Sequence, residues 1–365
     1  MDFSSLWERI TDFLSYNDLH PLLFTHVGFW IFFLILGIGL IFIDKRNTAR
    51  VVYLFAFSLL FYYKSCGLFF LLILLSIAFN YWVGLLLGRY KEHRTRKTIL
   101  SVAVGLNLLL LAYFKYTLFF VNSVNELFDT TITHTNIFAQ FLGWIVGNPS
   151  SVTMVLLPVG ISFYTFQAIS YVVDVYRGDI APLRRIVDFG FYLSFFPQLI
   201  AGPIVRASEF IPQIHKPYEL SPREASHALF LILIGLFKKI ILSDYLALNL
   251  VDRVFDNPIA YSGVENLMAS YGYALQIYCD FSGYTDIAIG IALLLGYRLS
   301  INFNFPYKAT SMTDFWRRWH ISLSTWLRDY LYIPLGGNRH GRVVMWSSLM
   351  LTMLLGGLWH GANWT

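Results

Sequence analysis

Residues 343–360 read VVMWSSLMLTMLLGGLWH. The seventeen residues from Val343 to Trp359 carry no charged side chain, so they approach the roughly 20 apolar residues that a helix needs to cross a bilayer. His360 follows this run directly and is expected at bilayer depth, where an ionisable side chain is costly and marks a functional site by default. The stretch therefore predicts a membrane helix that carries a functional histidine.

The composition of the whole chain is that of a membrane protein. Of its 365 residues, 56% are hydrophobic and 13% are charged, against about 25% charged in a typical soluble domain. The N-terminal segment lacks the basic region and short apolar core of a cleavable signal, so the first apolar run, near residues 26–43, is expected to stay as an anchor. We predict an all-α, polytopic transmembrane helix bundle, with residues 1–365 forming a single membrane-embedded domain.

The positive charge of the chain is concentrated in one stretch. Between Arg298 and Arg342 there are seven Lys or Arg and two Asp, an excess equal to the net charge of +5. The positive-inside rule predicts that this stretch faces the cytoplasm, so the charge needs no nucleic-acid partner. Cys66 and Cys279 form no CxxC pair, and neither a disulfide framework nor a thiolate metal site is predicted.

Two later segments depart from a regular membrane helix. The apolar run 189–204 is interrupted by Pro197 and by a Gly-Pro pair. Such breaks are tolerated at membrane depth only where the backbone faces protein or a water-filled cavity, and a re-entrant or broken segment that lines a cavity is expected. Asp280 and Asp286 lie within the next-but-one apolar run and must face a cavity or a partner. Both a catalytic role and a boundary position held by backbone donors or an arginine stay open for them.

A second histidine lies in the cluster DFWRRWH at residues 314–320. The pattern from Thr313 to Leu331 is helical, with Thr313 as N-cap and Asp314 at the positive end of the helix. His320 falls at the edge of the apolar stripe beside Trp316. An interfacial anchor and a chemical role are both compatible with this position.

A histidine suits acyl transfer because imidazole titrates near neutral pH and can take a proton from a hydroxyl nucleophile. Asn363, three positions after His360, could orient the ring, bind a developing oxyanion or contact a neighbouring helix. No HExxH motif completes a metal site with the two histidines. The sequence PLGGN at residues 334–338 indicates a turn rather than a phosphate-binding loop.

Six blocks in one order resemble the membrane-bound O-acyltransferase (MBOAT) family, and within it the branch of the membrane subunit of alginate O-acetyltransferases. The blocks are FFPQLIAGPI at 195–204, QIYCDFSGYTD at 276–286, NFNFPY at 302–307, residues 314–324, YIPLGGN at 332–338 and residues 358–365. The resemblance covers roughly residues 157–365.

The resemblance implies a helix bundle with broken segments around a central tunnel, open to an acyl thioester on the cytoplasmic side. His360 matches the catalytic histidine of the family and His320 the second, nearby histidine. No bound cofactor or metal is expected, and acetyl-CoA or an acyl carrier thioester is the expected donor. The residues expected to line the tunnel or support the histidines are Trp316, Arg317, Asp314, Asn363, Asp280 and Asp286.

The resemblance also implies a relay in a bacterial cytoplasmic (inner) membrane, with membrane lipid around the protein. Acetyl groups would pass outward to an extracytoplasmic acetyltransferase or other acyl-accepting partner, and finally to a cell-surface polysaccharide. Two alternatives stay open: D-alanyl transfer for teichoic acid modification, whose family branch shares the DFWRRWH pattern, and a non-catalytic conduit or scaffold. Because family members normally continue well beyond the block at 358–365, we expect this chain to lack the C-terminal helices usual in the family.

Overall fold

The computed structural model describes residues 16, 21–43, 47–133, 136–146, 158–200 and 202–361. These residues form α-helices and short 3₁₀ and π segments, and no β-strand occurs among them. The α-helices are α1 Val27–Ile43, α2 Asn47–Cys66, α3 Phe70–Arg89, α4 His93–Phe128, α5 Ile137–Val146, α6 Ile161–Arg177, α7 Ile186–Ser194, α8 Phe196–Leu199, α9 Ala207–Phe210, α10 Pro222–Leu236, α11 Asp252–Asp256, α12 Gly263–Leu294, α13 Met312–Arg318, α14 Ile321–Leu327 and α15 Arg342–His360. The predicted all-α class is confirmed.

Among the described residues, five helical runs are long and apolar enough to cross a membrane. Their mean hydropathy lies between 1.3 and 2.2 over the most apolar window, and the runs are Thr48–Arg89, His93–Phe128, Pro222–Asp256, Gly263–Leu294 and Arg342–His360. The predicted first membrane helix corresponds to α1, which has 17 residues and is shorter than each of these five runs. The chain is a multi-pass membrane protein.

Two of the long helices begin with the same local device. The Ser221 hydroxyl, just before α10, accepts a hydrogen bond from the backbone N–H of Glu224, and the backbone N–H of Ser221 donates to the Glu224 carboxylate. Ser262 and Glu265 make the same capping box at the start of α12. Because the first N–H groups of a helix lack intrahelical partners, these boxes fix where each helix begins.

The described chain divides into two compact units. The first contains residues 62–193 and 325–365 of the chain together with its first nineteen residues, and the second contains residues 20–61 and 194–324. That residues 1–365 form one membrane-embedded domain stays a prediction.

The core of the first unit is formed by α3, α4 and α6, and a buried amide pair joins two of these helices. The Asn80 side chain donates to Asn107 Oδ1 at 3.2 Å, and the Asn107 side chain donates back to Asn80 Oδ1 at 2.9 Å. Arg96 of α4 donates to the carbonyls of Val175 and Tyr176, the last turn of α6. Such polar contacts hold helices together in a membrane, where the hydrophobic effect does not.

The second unit is organised around α10 and α12, which approach closely at small residues. A Cβ added at Gly283 would lie 2.8 Å from the carbonyl oxygen of Gly235, and one at Gly290 would lie 2.6 Å from that of Ala228. Small residues seven positions apart on both helices therefore allow backbone-to-backbone packing. The chain continues from α10 through two π-helical segments, Phe237–Asp244 and Ala247–Val251.

The predicted break in the run 189–204 is confirmed. Helix α7 ends at Ser194, the four-residue α8 follows, and residues 203–206 belong to no regular element. The side chains from Phe195 to Leu199 are buried in protein, as the interrupted backbone hydrogen bonding at membrane depth requires.

Candidate functional site

His360 is the last residue of α15, in the first unit. Gly361 has extended backbone angles (φ −148°, ψ 144°) and ends the helix. The imidazole is exposed, and its ring centroid lies 4.6 Å from that of Trp359 at an interplanar angle of 74°. Asn363 lies outside the described residues, so its predicted role beside His360 stays a prediction.

The C-terminal end of α15 is held by two side chains of α4. The Lys115 ammonium donates to the carbonyl of Trp359 and lies 5.2 Å from the centroid of the Trp359 ring. The neighbouring Tyr116 hydroxyl donates to the carbonyl of Leu358 at 2.6 Å. The last carbonyls of a helix have no intrahelical donors and form the negative end of its dipole. A lysine and a tyrosine from another helix therefore donate hydrogen bonds to the carbonyls of the two residues that immediately precede His360.

Trp359 is also held by an aromatic stack. Its ring stacks on Phe166 of α6, with a centroid distance of 5.2 Å. Phe166 in turn stacks on Trp326 at 4.1 Å, and the Trp326 indole N–H donates to the Phe166 carbonyl at 3.1 Å. Gly356 lies one turn before His360, and a Cβ added there would lie 3.3 Å from the Leu327 side chain. Packing around Trp359 thus limits the positions that the adjacent imidazole can take.

The structure corrects the prediction for His320. The expected single helix from Thr313 to Leu331 is instead α13, a break, and α14 continuing into a π segment at Arg328–Tyr332. The N-cap of α13 is Ser311, whose hydroxyl accepts from the N–H of Asp314, rather than Thr313. His320 lies at the break with φ +42° and is 3% exposed. It is a buried residue with left-handed backbone, and does not lie at the edge of an apolar stripe on one continuous helix.

Backbone pairing with an upstream segment explains the break. The N–H of Ile321 donates to the carbonyl of Asn302 at 2.9 Å, and the N–H of Asn304 donates to the carbonyl of Arg318 at 2.9 Å. The Asn302 side-chain oxygen accepts from both the N–H and the hydroxyl of Ser322. These long-range hydrogen bonds replace the local ones that a continuous helix would make. A left-handed non-glycine residue is held by such contacts and is often found at functional sites.

Aromatic rings surround the His320 break within the second unit. The Phe281 ring meets the imidazole edge to face at 4.6 Å, and Phe281 also packs edge to face on Phe303 at 5.2 Å. Trp319 packs against Phe303 at 5.1 Å and stacks on Phe315 at 5.6 Å. The environment excludes water from the imidazole, which strengthens any electrostatic interaction made there.

Three of the residues predicted to line the tunnel or support the histidines lie on α13, where Asp314 is partly exposed and Trp316 and Arg317 are exposed. Asp314 accepts a hydrogen bond from the Arg318 guanidinium at 2.9 Å, and this bond holds the pKa of the Asp314 carboxyl below its usual range. Arg317 is exposed, and Trp316 is 41% exposed. The structure therefore makes Asp314 a partner of Arg318 on its own helix, and leaves the tunnel-lining role of these residues a prediction.

Asp280 and Asp286 have partners, as the sequence requires. Lys239 lies 2.5 Å from Asp280 and 2.7 Å from Asp244, and Lys238 lies 2.6 Å from Asp286. Both lysines belong to the π segment that follows α10. The partners are thus neighbouring lysines, and not the backbone donors or arginine considered from the sequence. The charges of Asp280 and Asp286 are thus paired, which lowers their cost within the membrane.

Lys115 is the functional-site contact that the sequence interpretation missed. It is the one Lys or Arg in the apolar run 98–121, and an isolated charge at membrane depth is itself a signal for function. Among the described residues, no group of three or more His, Cys, Asp or Glu side chains could hold a metal ion. The first unit offers an exposed imidazole, His360, at a capped helix end. The second unit, taken by itself, offers a buried imidazole, His320, among aromatic rings.

The part of the chain that contains both histidines is similar in sequence to known proteins. The sequence profile of the membrane-bound O-acyltransferase family matches residues 183–365. A Pseudomonas aeruginosa protein named as a probable alginate O-acetylase is 41% identical over 346 residues, which are 94% of this chain and 63% of that protein. A protein of the same name from Azotobacter vinelandii is 45% identical over 289 residues, 79% of this chain and 54% of that protein. A Helicobacter pylori peptidoglycan O-acetyltransferase is 39% identical over 316 residues, 80% of this chain and 56% of that protein. The chain thus spans 54–63% of the length of these relatives.

Proposed function

The chain belongs to the membrane-bound O-acyltransferase family, and from this we propose that it transfers acetyl groups for O-acetylation of a cell-surface polysaccharide. The proposal rests on His360, an imidazole placed at a helix end whose preceding carbonyls are capped by Lys115 and Tyr116. Two relatives that act, by name, on alginate and on peptidoglycan support a polysaccharide as the final acceptor.

In the proposed step, neutral His360 takes the proton of an acceptor hydroxyl as that oxygen attacks the thioester carbonyl carbon. The new C–O bond forms, the C–S bond breaks, and the thiolate leaves with the proton that the imidazolium returns. Such general base catalysis needs a residue that titrates near neutral pH and can be reached by the hydroxyl. The exposed ring of His360 meets the second requirement.

The remaining parts of the proposal concern donor, direction and partners. The donor is a cytoplasmic thioester, acetyl-CoA or an acyl carrier. The acetyl group passes outward across a bacterial cytoplasmic membrane to an extracytoplasmic acetyltransferase. His320, buried among aromatic rings, positions or polarises the acyl group on the cytoplasmic side. The five described helical runs that are long and apolar enough to cross a membrane support a membrane location for the transfer.

A codon change in the chromosomal gene tests this function in the protein as the cell makes it. His360→Ala is compared with His340→Ala, which removes an exposed histidine that lies just before the start of α15. O-acetyl and D-alanyl ester contents of the cell surface are then measured at matched membrane abundance. Loss of O-acetyl alone in His360→Ala supports the proposal. Loss of D-alanyl esters identifies the teichoic acid reaction instead, and unchanged ester content in both variants indicates a non-catalytic conduit.

A further inference from the structure

Arg50, near the start of α2 in the second unit, is a buried cation. Its side chain is 4% exposed, and one guanidinium N–H group donates to the carbonyl of Leu295, just beyond the end of α12. The guanidinium also lies over two rings, 4.6 Å from the centroid of Tyr218 and 5.3 Å from that of Tyr297. These contacts hold the charge at a fixed place.

The charge of Arg50 has no carboxylate partner among the described residues. A guanidinium offers five N–H donors, and the Leu295 carbonyl accepts from one of its nitrogens. The negative end of a helix dipole amounts to roughly half an elementary charge, so it offsets the cation only in part. Burial of an ion without full compensation is costly, and an anion at this place would remove that cost.

A cavity of about 280 Å³ adjoins this cation. Its wall includes Arg50, the end of α12 at Leu294 and Leu295, and the α1 residues Phe33, Gly37, Leu40 and Ile41. The volume is close to the lower limit of roughly 300 Å³ for small-ligand sites. It therefore suits one part of a larger amphiphile, with an anionic group at Arg50 and an apolar chain along α1.

The apolar flank of α1 continues this surface outward. Ile41 lines the cavity and is 74% exposed, and the adjacent Phe42 is 84% exposed. In a membrane helix such a flank faces lipid chains. The end of α1 and the start of α2 adjoin the basic sequence at residues 45–50, which places this site at the cytoplasmic surface by the positive-inside rule.

We propose that the Arg50 cavity binds one anionic phospholipid, with the phosphate at the Arg50 guanidinium and an acyl chain against Phe33, Gly37, Leu40 and Ile41. Basic pockets between membrane helices on the cytoplasmic side recognise anionic headgroups in this way. The apolar wall favours a lipid over a free phosphate, because a soluble anion would gain nothing from the α1 surface. The proposed lipid binding needs no turnover.

Purified chain, delipidated in nonionic detergent, is titrated with phosphatidylglycerol, and bound lipid is counted by native mass spectrometry. Arg50→Gln removes the cation and should weaken binding roughly tenfold or more, as loss of a charged hydrogen bond predicts. Gly37→Leu keeps Arg50 and fills the cavity. No atom lies within 4 Å of a Cβ at Gly37, so this variant should fold normally and also lose lipid. Arg94→Gln, which removes an exposed arginine, should bind as the unchanged chain does.

The second arm of the test separates lipid from phosphate. Excess sn-glycerol 3-phosphate should leave the bound phosphatidylglycerol in place, and phosphatidylcholine should bind more weakly because its headgroup has no net charge. Unchanged phosphatidylglycerol binding in both Arg50→Gln and Gly37→Leu overturns the proposal. Displacement by glycerol phosphate, with no effect of Gly37→Leu, overturns it as well, since the site would then recognise the phosphate alone. If Arg50→Gln does not fold, the result for Gly37→Leu decides.

Discussion

Lys115 caps the helix that ends at His360, because its ammonium donates to the carbonyl of Trp359 and lies over the Trp359 ring. The contact joins the middle of α4 to the last turn of α15 within the first unit. It assigns a role to an isolated lysine in an apolar membrane helix. The position of the proposed general base therefore depends on a residue 245 positions earlier in the sequence.

Replacing Lys115 with Met should lower both stability and acyl transfer. The lost cation at a partly buried helix end is worth about 1–2 kcal/mol of unfolding free energy. Unfolding in mixed detergent micelles and the O-acetyl content of cells measure the two effects. Lys115→Arg should retain most of the stability, and Lys97→Met, at an exposed position of the same helix, should change neither. Normal O-acetylation in Lys115→Met would show that the cap does not position His360.

The amide pair between Asn80 and Asn107 should show energetic coupling. Asn107→Leu leaves the buried Asn80 side chain without its inter-helix partner and should cost about 1–2 kcal/mol. The double change Asn80→Leu/Asn107→Leu should cost less than the sum of the single changes, with a coupling of about 0.6–1.7 kcal/mol. A double-mutant cycle in mixed micelles measures this value. Additive effects would mean that the pair adds nothing beyond its separate contacts.

Gly283→Ala should destabilise the second unit. The added Cβ would lie 2.8 Å from the Gly235 carbonyl oxygen and 3.1 Å from the Lys239 nitrogen, and neither backbone atom can move aside cheaply. Overpacking of this kind costs about 1–3 kcal/mol. Gly263→Ala in the same helix is the control, because no atom lies within 4 Å of its Cβ. Equal stabilities of the two variants would contradict the close packing of α10 on α12.

His320 allows backbone strain to be separated from chemistry. At φ +42°, glycine is tolerated but alanine costs about 1–2 kcal/mol. His320→Gly should therefore be more stable than His320→Ala, although glycine normally destabilises a helical region. Both variants lack the imidazole and should lose acyl transfer to the same extent if the ring is needed. A more stable His320→Ala would argue against the left-handed conformation.

Hydropathy predicted most of the membrane helices, because long apolar runs such as 98–121 and 343–359 have few alternatives in a bilayer. The break at 189–204 was also predictable, since Pro197 cannot continue a helix. The break at His320 was not predictable from the sequence. The apolar periodicity of residues 313–331 continues unchanged through His320. The helix is interrupted there by hydrogen bonds to Asn302 and Asn304, which are distant in sequence.

The sequence predicted the two candidate histidines, but not the side-chain contacts that hold the candidate residues in place. His360 was found from its place after an uncharged run, whereas the Lys115 cap depends on how α4 packs against α15. Lysine partners for Asp280 and Asp286 likewise depend on the π segment at 237–244. A π segment has no clear pattern in sequence, because it arises where tertiary contacts favour one extra residue in a turn.

Transfer of radiolabelled acetyl groups tests the role of His360 most directly. Membranes from cells carrying the unchanged gene or the chromosomal His360→Ala change are given labelled acetyl-CoA with cytosolic extract, and label in polysaccharide is followed at matched protein abundance. Loss of a general base should slow the transfer by about 10²–10⁴-fold, while unchanged membranes label the polysaccharide. Equal rates in the two membranes would contradict catalysis by His360.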